Sequence, residues 1–362
     1  MNSIIEAAAE RRHAPAAPAA VTPVVKLMGP GETARWDAFV QACPEATFFH
    51  RAGWQSVIER AFGHKTWFMY AEANGEIEGV VCLAEVKSRL FGHSLSSLPF
   101  CVYGGVAANT DAAREALDKA AQELARTLNV GQLEYRNLQP RHADWPSKSL
   151  YVTFRKEILP DVEQNMLAIP KKQRAMVRKG IKAGLQSEID TDVERFFKAY
   201  STSVHRLGTP VFSKRYFSIL METFGKDCEI QTITKEGRII SSVLSFYFRD
   251  EVLPYYGGGM TEARDVAGND FMYWELMRRA CEKGYKVFDF GRSKVGTGAF
   301  DFKKNWGFVP QPLHYEYQLV RSTAVPDNNP LSPKFQLFIK IWQRMPLPLA
   351  NALGPHIVKS LG

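Results

Sequence analysis

Lys303 is the residue of this sequence whose surroundings point most directly to chemistry, because it stands between two aromatic residues, Phe302 and Trp306. In acyl transfer an amine or hydroxyl attacks a carbonyl carbon, and the tetrahedral intermediate carries an oxyanion that a fixed cation stabilises. Aromatic neighbours that exclude water strengthen such an interaction. The pattern indicates Lys303 as a catalytic residue, with Phe302 and Trp306 at the substrate. The alternative is a surface lysine on an amphipathic turn whose aromatic residues belong to the core.

Asp289 and Arg292 lie at the end of an apolar run, residues 287–290, that is typical of a β-strand. An unpaired carboxylate is costly in such a strand. Asp289 is therefore either paired, with Arg292 or Lys303, or a general base for the attacking amine. Arg292 is a candidate for binding substrate.

A basic segment, residues 169–185, precedes these strands and contains no acidic residue. If it is helical from Pro170, it presents a row of cations that includes Arg174 and Arg178 on one face. Arginine offers paired donors that suit phosphate, so both are candidates for binding an anionic substrate. The alternative is a solvated surface helix.

His205 and Arg206 come just before Gly208 and Pro210 and are further candidates for orienting a substrate from a loop. The same residues are equally typical of a helix C-terminus, with cations near the last carbonyls and a glycine as the stop.

The elements that position these residues occur twice in the chain in the same order: a hairpin, a strand, a helix and a further strand. Tyr103 and Tyr256 each begin a Tyr-Gly-Gly sequence at matching places. This indicates an internal duplication. In the second copy, Tyr256 is a candidate for binding substrate. Gly257 and Gly258 are candidates for holding an acyl donor or cofactor, since glycine has no side chain to obstruct its close approach.

The motifs FDFGR, FDFKKNWGF and YEY, within residues 288–317, resemble the C-terminal motif of the FemAB-like acyltransferases of the GNAT superfamily. The sequence is most similar to the subfamily associated with exosortase (PEP-CTERM) and exopolysaccharide loci. This resemblance implies an α/β (α+β) fold of tandem GNAT-like domains with mixed, splayed central sheets. It implies an N-terminal domain at 24–150, a domain with the active site at 151–322 and an amphipathic tail at 323–362.

The resemblance also implies a donor that is an aminoacyl-tRNA, whereas many GNAT enzymes use acyl-CoA. A CoA-binding loop has two glycines at the start of the central helix, where backbone amides bind pyrophosphate. Here the candidates for that loop are Gly268 and Asn269, preceded by Asp265 and Ala267. This match is degraded, and Asp265 repels a diphosphate, so the sequence favours aminoacyl-tRNA and keeps acyl-CoA as the alternative donor.

Composition adds few constraints: the net charge of +8 favours an anionic partner, and the five cysteines are scattered singly. We expect no metal site and no tightly bound cofactor. Residues 1–23 are rich in alanine and proline, lack the apolar core of a signal peptide and are expected to be disordered. A cytoplasmic location is the expectation.

The tail has an apolar face that includes Phe335, Phe338, Ile339 and Trp342. It is expected either to contact the inner membrane peripherally or to dock on the protein.

The expected function is therefore transfer of an acyl or aminoacyl group onto an amine or hydroxyl of an anionic cell-envelope or exopolysaccharide precursor. The expected partners are this precursor, tRNA and the inner membrane. The alternatives are acyl-CoA-dependent acetylation of exopolysaccharide sugars, and a non-catalytic polysaccharide-binding protein on the same fold.

Overall fold

The computed structural model describes residues 22–88, 92–325 and 333–361, with the side chains of 333–336 left out. The expectations for residues 1–21 and for the side chain of Phe335 lie outside the described residues. The elements of the first half are β1 (Val24–Leu27), α1 (Thr33–Ala42), α2 (Gly53–Phe62), β2 (Lys65–Ala73), β3 (Glu76–Ser88), β4 (Gly92–Ser96), β5 (Val106–Ala108), α3 (Asp111–Thr127), β6 (Gln132–Asn137) and β7 (Ser147–Lys148).

The second half is richer in helices. Its elements are β8 (Tyr151–Glu157), α4 (Val162–Ala168), α5 (Lys171–Lys182), β9 (Gln186–Asp190), α6 (Glu194–Arg206), α7 (Lys214–Phe224), β10 (Cys228–Lys235), β11 (Arg238–Phe248), β12 (Glu251–Gly259), α8 (Gly268–Glu282), β13 (Val287–Asp289), β14 (Ser293–Lys294), α9 (Gly298–Asn305), β15 (Pro310–Pro312), β16 (His314–Leu319), α10 (Pro333–Arg344) and α11 (Leu347–Val358).

Among the described residues the strands form two eight-stranded mixed sheets of the same plan. The first runs β1-β2-β3-β4-β6-β16-β7, with β5 beside β3, and the second runs β9-β10-β11-β12-β13-β8-β14, with β15 beside β8. Each sheet contains one parallel pair, β4 with β6 or β12 with β13, and the central helix, α3 or α8, lies between the two strands of that pair in sequence. This confirms the predicted fold of two GNAT-like units with mixed sheets.

A shared irregularity supports the duplication. The hairpins β2–β3 and β10–β11 each contain a β-bulge, after Ala71 paired with Gly79 in the first and after Ile233 paired with Ser241 in the second. Ile233 follows Ala71 in the sequence by the same number of positions as Ser241 follows Gly79, so the two bulges correspond on both strands of the hairpin. Bulges are specific features of a fold, so their matching position is more informative than the shared order of elements.

The second half contributes one strand to the first sheet, because β16 lies between β6 and β7. Glu316 on β16 is buried and accepts hydrogen bonds from Asn137 Nδ2 (2.8 Å), Arg141 N (2.8 Å) and His142 Nδ1 (2.9 Å). Burial disfavours the imidazolium, but the hydrogen-bonded carboxylates of Asp118 and Glu316 outweigh it and raise the pKa of His142 to about 9. The division at 150 and 322 remains a prediction, because β16 belongs to the second half in sequence and to the first sheet in space.

The halves also share one apolar core. Phe48 of the first half stacks on Phe246 of β11 with ring centroids 4.4 Å apart, and both side chains are fully buried. Such packing fixes the relative position of the two sheets and of any site between them.

The C-terminal tail folds back onto α6 through α10 and α11. Trp342 is buried there, and His205 Nε2 lies 2.8 Å from the carbonyl oxygen of Met345. Gly208 has a positive φ of 76°, and a Cβ at that position would meet Ile339 at 2.5 Å. The face predicted from Ile339 and Trp342 is thus the one that packs on the protein. Within the described ranges, none of the helices combines the length and apolar character needed to cross a bilayer.

Candidate active site

A cavity of about 600 Å³ opens where two parallel strands of the second sheet separate. β12 and β13 pair only at Glu251 with Val287 and at Val252 with Phe288. Beyond that point alternate residues of β12 direct backbone N–H and C=O groups into the gap and not at a neighbouring strand. The gap can therefore hold an extended, amide-rich chain by backbone hydrogen bonds.

A β-bulge turns the chain at the edge of this gap. In the pairing of β11 with β12, Leu244 lies opposite Tyr256 and Ser245 opposite Pro254, so Tyr255 is the extra residue. A bulge redirects the side chains around it. The Tyr255 hydroxyl donates to the carbonyl of Phe100 (2.8 Å), which ties the gap to the first half.

Both halves and the tail contribute to the cavity wall. Its lining residues are Phe100, Val102, Glu134, Arg136, Lys148, Leu150, Tyr151, Phe212, Pro254, Tyr255, Tyr256, Gly257, Tyr273, Phe290, Gly291, Arg292, Ala299, Lys303, Tyr315, Tyr317, Val358 and Leu361. Four of these carry a cationic side chain, and Glu134 is the one carboxylate among them. Since Glu134 is itself paired with Arg136 (2.7 Å), the cavity favours an anion.

Arg292 lies in this wall and forms no ion pair with a carboxylate among the residues that the structure describes. Its guanidinium donates to the Tyr315 hydroxyl (3.0 Å) and lies over the ring of Tyr151, 4.6 Å from the centroid. Two aromatic contacts and one neutral acceptor hold the group in place and leave its charge uncompensated. Arg292 is thus positioned to meet an anionic group in the cavity.

Lys303 lines the cavity, and its ammonium already has partners. α9 begins at the Thr297 cap, whose side chain accepts from the Phe300 amide, and its last turn brings Nζ to three backbone carbonyls. Nζ donates to Phe290 O (2.6 Å), Gly291 O (3.0 Å) and Arg292 O (3.1 Å). Lys303 therefore holds the chain that leaves β13, and contact with an oxyanion requires one of these bonds to be released.

The charge of Lys303 is sensitive to pH near neutrality. Burial lowers its pKa to about 7, the charge of Asp289 opposes that shift and the charge of Arg292 reinforces it. The three-carbonyl arrangement needs three N–H donors, which only the protonated amine has.

Asp289 is fully buried and lies in an ion pair. Asp289 is paired, as one of its two interpretations expected. Its partner is Arg155 on β8, whose guanidinium lies 2.9 Å away, and not Arg292 or Lys303. The carboxylate also accepts from the Tyr103 hydroxyl (2.8 Å) and the Gly291 amide (2.8 Å). With these donors in place, Asp289 has no contact with the cavity through which to act as a base.

Tyr273 on α8 is a cavity residue that the sequence interpretation missed. Its hydroxyl lies 3.0 Å from where a Cβ on Gly257 would stand, directly over the backbone of β12. No described residue is hydrogen-bonded to it. Burial, with the nearby Asp270 carboxylate, raises the pKa of Tyr273 to about 12, so the hydroxyl stays protonated and can donate. The one feature of the sequence that could have indicated Tyr273 is its polar hydroxyl among the apolar residues of the helix.

The predicted aromatic contacts divide between the cavity and the core. Tyr256 lines the cavity, and its hydroxyl lies 2.9 Å from that of Tyr216. Trp306 is buried, and its Nε1 donates to Asp270 (3.2 Å). Phe302 packs against Tyr273 and Trp306 without lining the cavity. Phe302 and Trp306 therefore belong to the core, which was the alternative to a place at the substrate.

The four residues proposed to hold a cofactor separate in the same way. Gly257 lines the cavity, whereas a Cβ on Gly258 would stand 2.7 Å from the backbone of Tyr200 and one on Gly268 would stand 2.4 Å from Ile240. Gly258 and Gly268 therefore allow close packing of elements. Asn269 is exposed in the first turn of α8, outside the cavity.

A buried carboxylate lies in the first turn of α8, the helix whose start is the candidate CoA-binding loop. Asp270, in the first turn of α8, accepts from Gln173 Nε2 and Trp306 Nε1, and burial raises its pKa. The helix start is capped by Ala267 in a left-handed conformation, with φ of 55° and no side-chain hydrogen bond. A carboxylate at this helix end already interacts with the positive end of the helix dipole and repels a second anion.

Arg174 and Arg178 lie outside the cavity. α5 packs on α8 through Gln173 and Gly180, which leaves both arginines on the outer face of α5 with Lys171 and Lys182. Among the described residues no carboxylate forms an ion pair with either of them. Their role in binding an anionic ligand remains a prediction, and any such ligand must reach beyond the cavity.

His205 and Arg206 end α6, as the helix-terminus alternative has it. His205 contacts the tail at Met345, and Arg206 donates to the carbonyl of Gly259 (3.2 Å) at the end of β12. Neither lines the cavity. Both hold surrounding elements in place.

The corresponding gap in the first half is closed. β4 and β6 also separate, after Ser96 pairs with Glu134, but the loop that follows β4 fills the space. The Arg136 amide donates to Ser97 Oγ (2.9 Å), and its carbonyl accepts from the Gly104 amide (2.8 Å). Within the part of the chain that the structure describes, no group of His, Cys, Asp or Glu side chains is suited to hold a metal ion.

Comparison with known proteins supports an acyl-transfer site. Residues 171–304 match the family model described as an acetyltransferase (GNAT) domain. None of the curated proteins matches the sequence.

Three solved structures resemble the chain in fold. FemX is 15% identical with a TM-score of 0.64, over 87% of this chain and 100% of FemX. The C-terminal domain (DUF2156) of an Agrobacterium fabrum protein named as a lysylphosphatidylglycerol synthetase is 13% identical with a TM-score of 0.55, over 79% and 91%. A tandem GNAT protein from the clavulanic acid biosynthesis pathway is 12% identical with a TM-score of 0.52, over 84% and 100%. These matches support an acyltransferase and show the fold of two GNAT-like domains in tandem.

Proposed function

We propose that this enzyme is FemAB-like and transfers an aminoacyl or acyl group to an amine or hydroxyl of an anionic cell-envelope or exopolysaccharide precursor. The observation that carries the proposal is the cavity between β12 and β13, where cationic and tyrosine side chains surround a strand edge with free backbone groups. The edge suits the extended arm of an acyl donor, and Arg292 suits an anionic group of the acceptor.

The reaction is a direct attack. The nucleophilic nitrogen or oxygen of the acceptor forms a bond to the carbonyl carbon of the donor, and the oxyanion that results accepts a hydrogen bond from Tyr273. Collapse of this intermediate breaks the bond to the leaving oxygen or sulfur, which takes up the proton lost by the nucleophile. A protonated hydroxyl fixed in a buried site stabilises an oxyanion without reorganisation.

Lys303 acts on this reaction through the backbone. Its three bonds hold the carbonyls of residues 290–292 and so fix the wall that carries Arg292. We assign it a positioning role, with direct oxyanion contact as the alternative that requires one bond to open.

The proposed donor is an aminoacyl-tRNA, since Asp270 stands at the helix start that would bind a CoA pyrophosphate. The cations of α5 lie on the outside of the same helix pair, where a polyanionic donor can extend. The second candidate is transfer from acyl-CoA, for example acetylation of exopolysaccharide sugars, and the match of residues 171–304 to an acetyltransferase domain favours it.

A donor screen decides between the two. Calorimetry and thermal shift would be recorded with CoA, acetyl-CoA and charged tRNA at two salt concentrations, because binding driven by charge alone weakens with salt. Binding of charged tRNA that survives added salt, with no response to CoA, supports the proposal. Saturable acetyl-CoA binding assigns the enzyme to the CoA-dependent acyltransferases.

The catalytic assignment is tested by Tyr273→Phe in whichever transfer assay the screen provides. We expect kcat to fall about 10²-fold, the effect of losing one oxyanion donor, with unchanged donor affinity. Tyr285→Phe, outside the cavity, is the matched control. A Tyr273→Phe enzyme with the wild-type kcat removes this hydroxyl from the mechanism.

A further inference from the structure

The last two helices expose an apolar face that the protein does not cover. α10 and α11 dock through one side, where Trp342, Ala350 and Val358 are buried. On the opposite side of α10, Leu337 and Ile341 are 61% and 57% exposed.

α11 repeats this arrangement. Leu349 and Leu353 are 48% and 41% exposed, and Ala350 and Gly354 on the other side are buried. In each helix the two exposed side chains are four residues apart, so at about 100° per residue they form one stripe. Each stripe is an apolar patch that is removed from water when it is covered.

The charge of this segment indicates what covers it. Lys340 and Arg344 are exposed beside the stripe of α10, and Lys359 is exposed at the end of α11. The sequence from 333 to 361 contains no acidic residue. A helix with an apolar stripe flanked only by cations is suited to lie in the interface of an anionic lipid surface.

The same segment reaches the active-site cavity. Val358, in the last turn of α11, and Leu361 line that cavity, next to Phe100 and Phe212. The apolar end of the cavity thus adjoins the helix that carries the exposed stripe, while Arg292 and Lys303 lie within the same cavity.

We infer that the outer faces of α10 and α11 lie on an anionic lipid surface and hold the cavity beside it. The inference rests on the proposed function only in taking this cavity as the site that receives the acceptor. An acceptor with an anionic group and an apolar anchor then reaches the site from the surface without leaving the lipid. The rival occupant of the stripe is a second copy of this chain.

Vesicle co-sedimentation of the full chain tests this docking without any donor or acceptor, so its failure is distinct from failure of the acyltransferase proposal. The probes are vesicles of phosphatidylcholine alone and of phosphatidylcholine with phosphatidylglycerol. We expect binding to the anionic vesicles, weakened at least tenfold in Leu337→Ser/Ile341→Ser and in Leu349→Ser/Leu353→Ser, because each variant removes two side chains from lipid contact. Lys340→Gln/Arg344→Gln is expected to weaken binding by a similar factor at low salt.

Leu167→Ser is the matched control, because Leu167 is 61% exposed on α4, away from this face. Circular dichroism and thermal unfolding establish that the variants are folded. Absence of binding to anionic vesicles, or binding that the leucine variants leave unchanged, overturns the inference. A dimer in analytical ultracentrifugation that dissociates in the same variants overturns it as well and assigns the stripe to a second copy.

Discussion

The buried carboxylate of Asp289 gives the sharpest test of how this site is built, because its two interpretations predict opposite results for Asp289→Asn. Asn is nearly isosteric but carries no charge, and one of its two oxygen positions becomes an NH2 group. The donors of Arg155, Tyr103 and the Gly291 amide would then converge on a single acceptor. Losing one partner of a buried ion pair costs about 3–5 kcal/mol.

We expect a loss of about 3 kcal/mol, at the low end of that range, because Arg155 keeps a second partner in Glu251. The free energy of unfolding would be measured by urea titration, followed by circular dichroism and by tryptophan fluorescence. Tyr103→Phe, which removes one neutral donor, is expected to cost about 1 kcal/mol. In a double-mutant cycle, Asp289→Asn and Arg155→Met should couple by about 1–3 kcal/mol.

The opposite result would identify a general base. If Asp289→Asn unfolds at the wild-type urea concentration while turnover is lost, the carboxylate acts on the substrate and the ion pair is incidental. A simultaneous loss of stability and of activity follows from the structural role, since the Gly291 amide anchors the chain that lines the cavity.

Three further predictions concern the cavity and the contacts of β16. Lys303→Met should lower kcat about 10²-fold with the fold intact. Wild-type kcat should fall as the pH rises through about 7, because Lys303 then loses the proton that its third carbonyl bond requires. A flat pH profile contradicts this. Gly257→Ala should keep the stability but lower kcat about tenfold, because it places a methyl group in the cavity. Gly258→Ala should lower the free energy of unfolding by roughly 1–3 kcal/mol through overpacking. Equal stabilities of the two variants contradict the assignment of Gly257 to the cavity and Gly258 to close packing. The raised pKa of His142 means that its bonds stabilise the fold fully below pH about 6.5, the ordinary value, and lose that effect as the pH rises through about 9. The difference in free energy of unfolding between the wild type and His142→Gln should therefore shrink from pH 6 to pH 10, and a constant difference would show that His142 adds no pH-dependent stability.

Local patterns in the sequence were sufficient for the elements and for part of the site. The strand before Gly291 and the helical turn around Lys303 follow from the spacing of apolar residues. The aromatic neighbours of Lys303 and the motif that contains it singled out this residue, which lines the cavity. The same patterns could not distinguish Phe302 and Trp306 in the core from the same residues at a substrate, because a core and an apolar pocket select the same side chains.

Partners from distant parts of the chain were beyond such reasoning. Asp289 was predicted to pair with a neighbour in sequence, and its partner Arg155 comes from β8, which reaches β13 only because the second sheet places them side by side. Tyr273 was missed for a related reason: only the separation of β12 from β13 turns one tyrosine of α8 toward a cavity. Periodicity reports which face of an element is buried and does not report what lies opposite it.

Of the two pairs of parallel strands that separate, only the pair in the second unit leaves an open gap, and the loop after β4 explains the difference. In the first unit the loop after β4 closes the gap between its parallel strands, and the same loop presents Phe100 and Val102 to the cavity of the second unit. β16 completes the first sheet and carries Tyr315, whose hydroxyl accepts from Arg292 and donates to the carbonyl of Val102. The first unit thus supplies a wall for the site of the second. An isolated fragment of residues 151–322 would lack that wall, and its β16 would have no sheet to join.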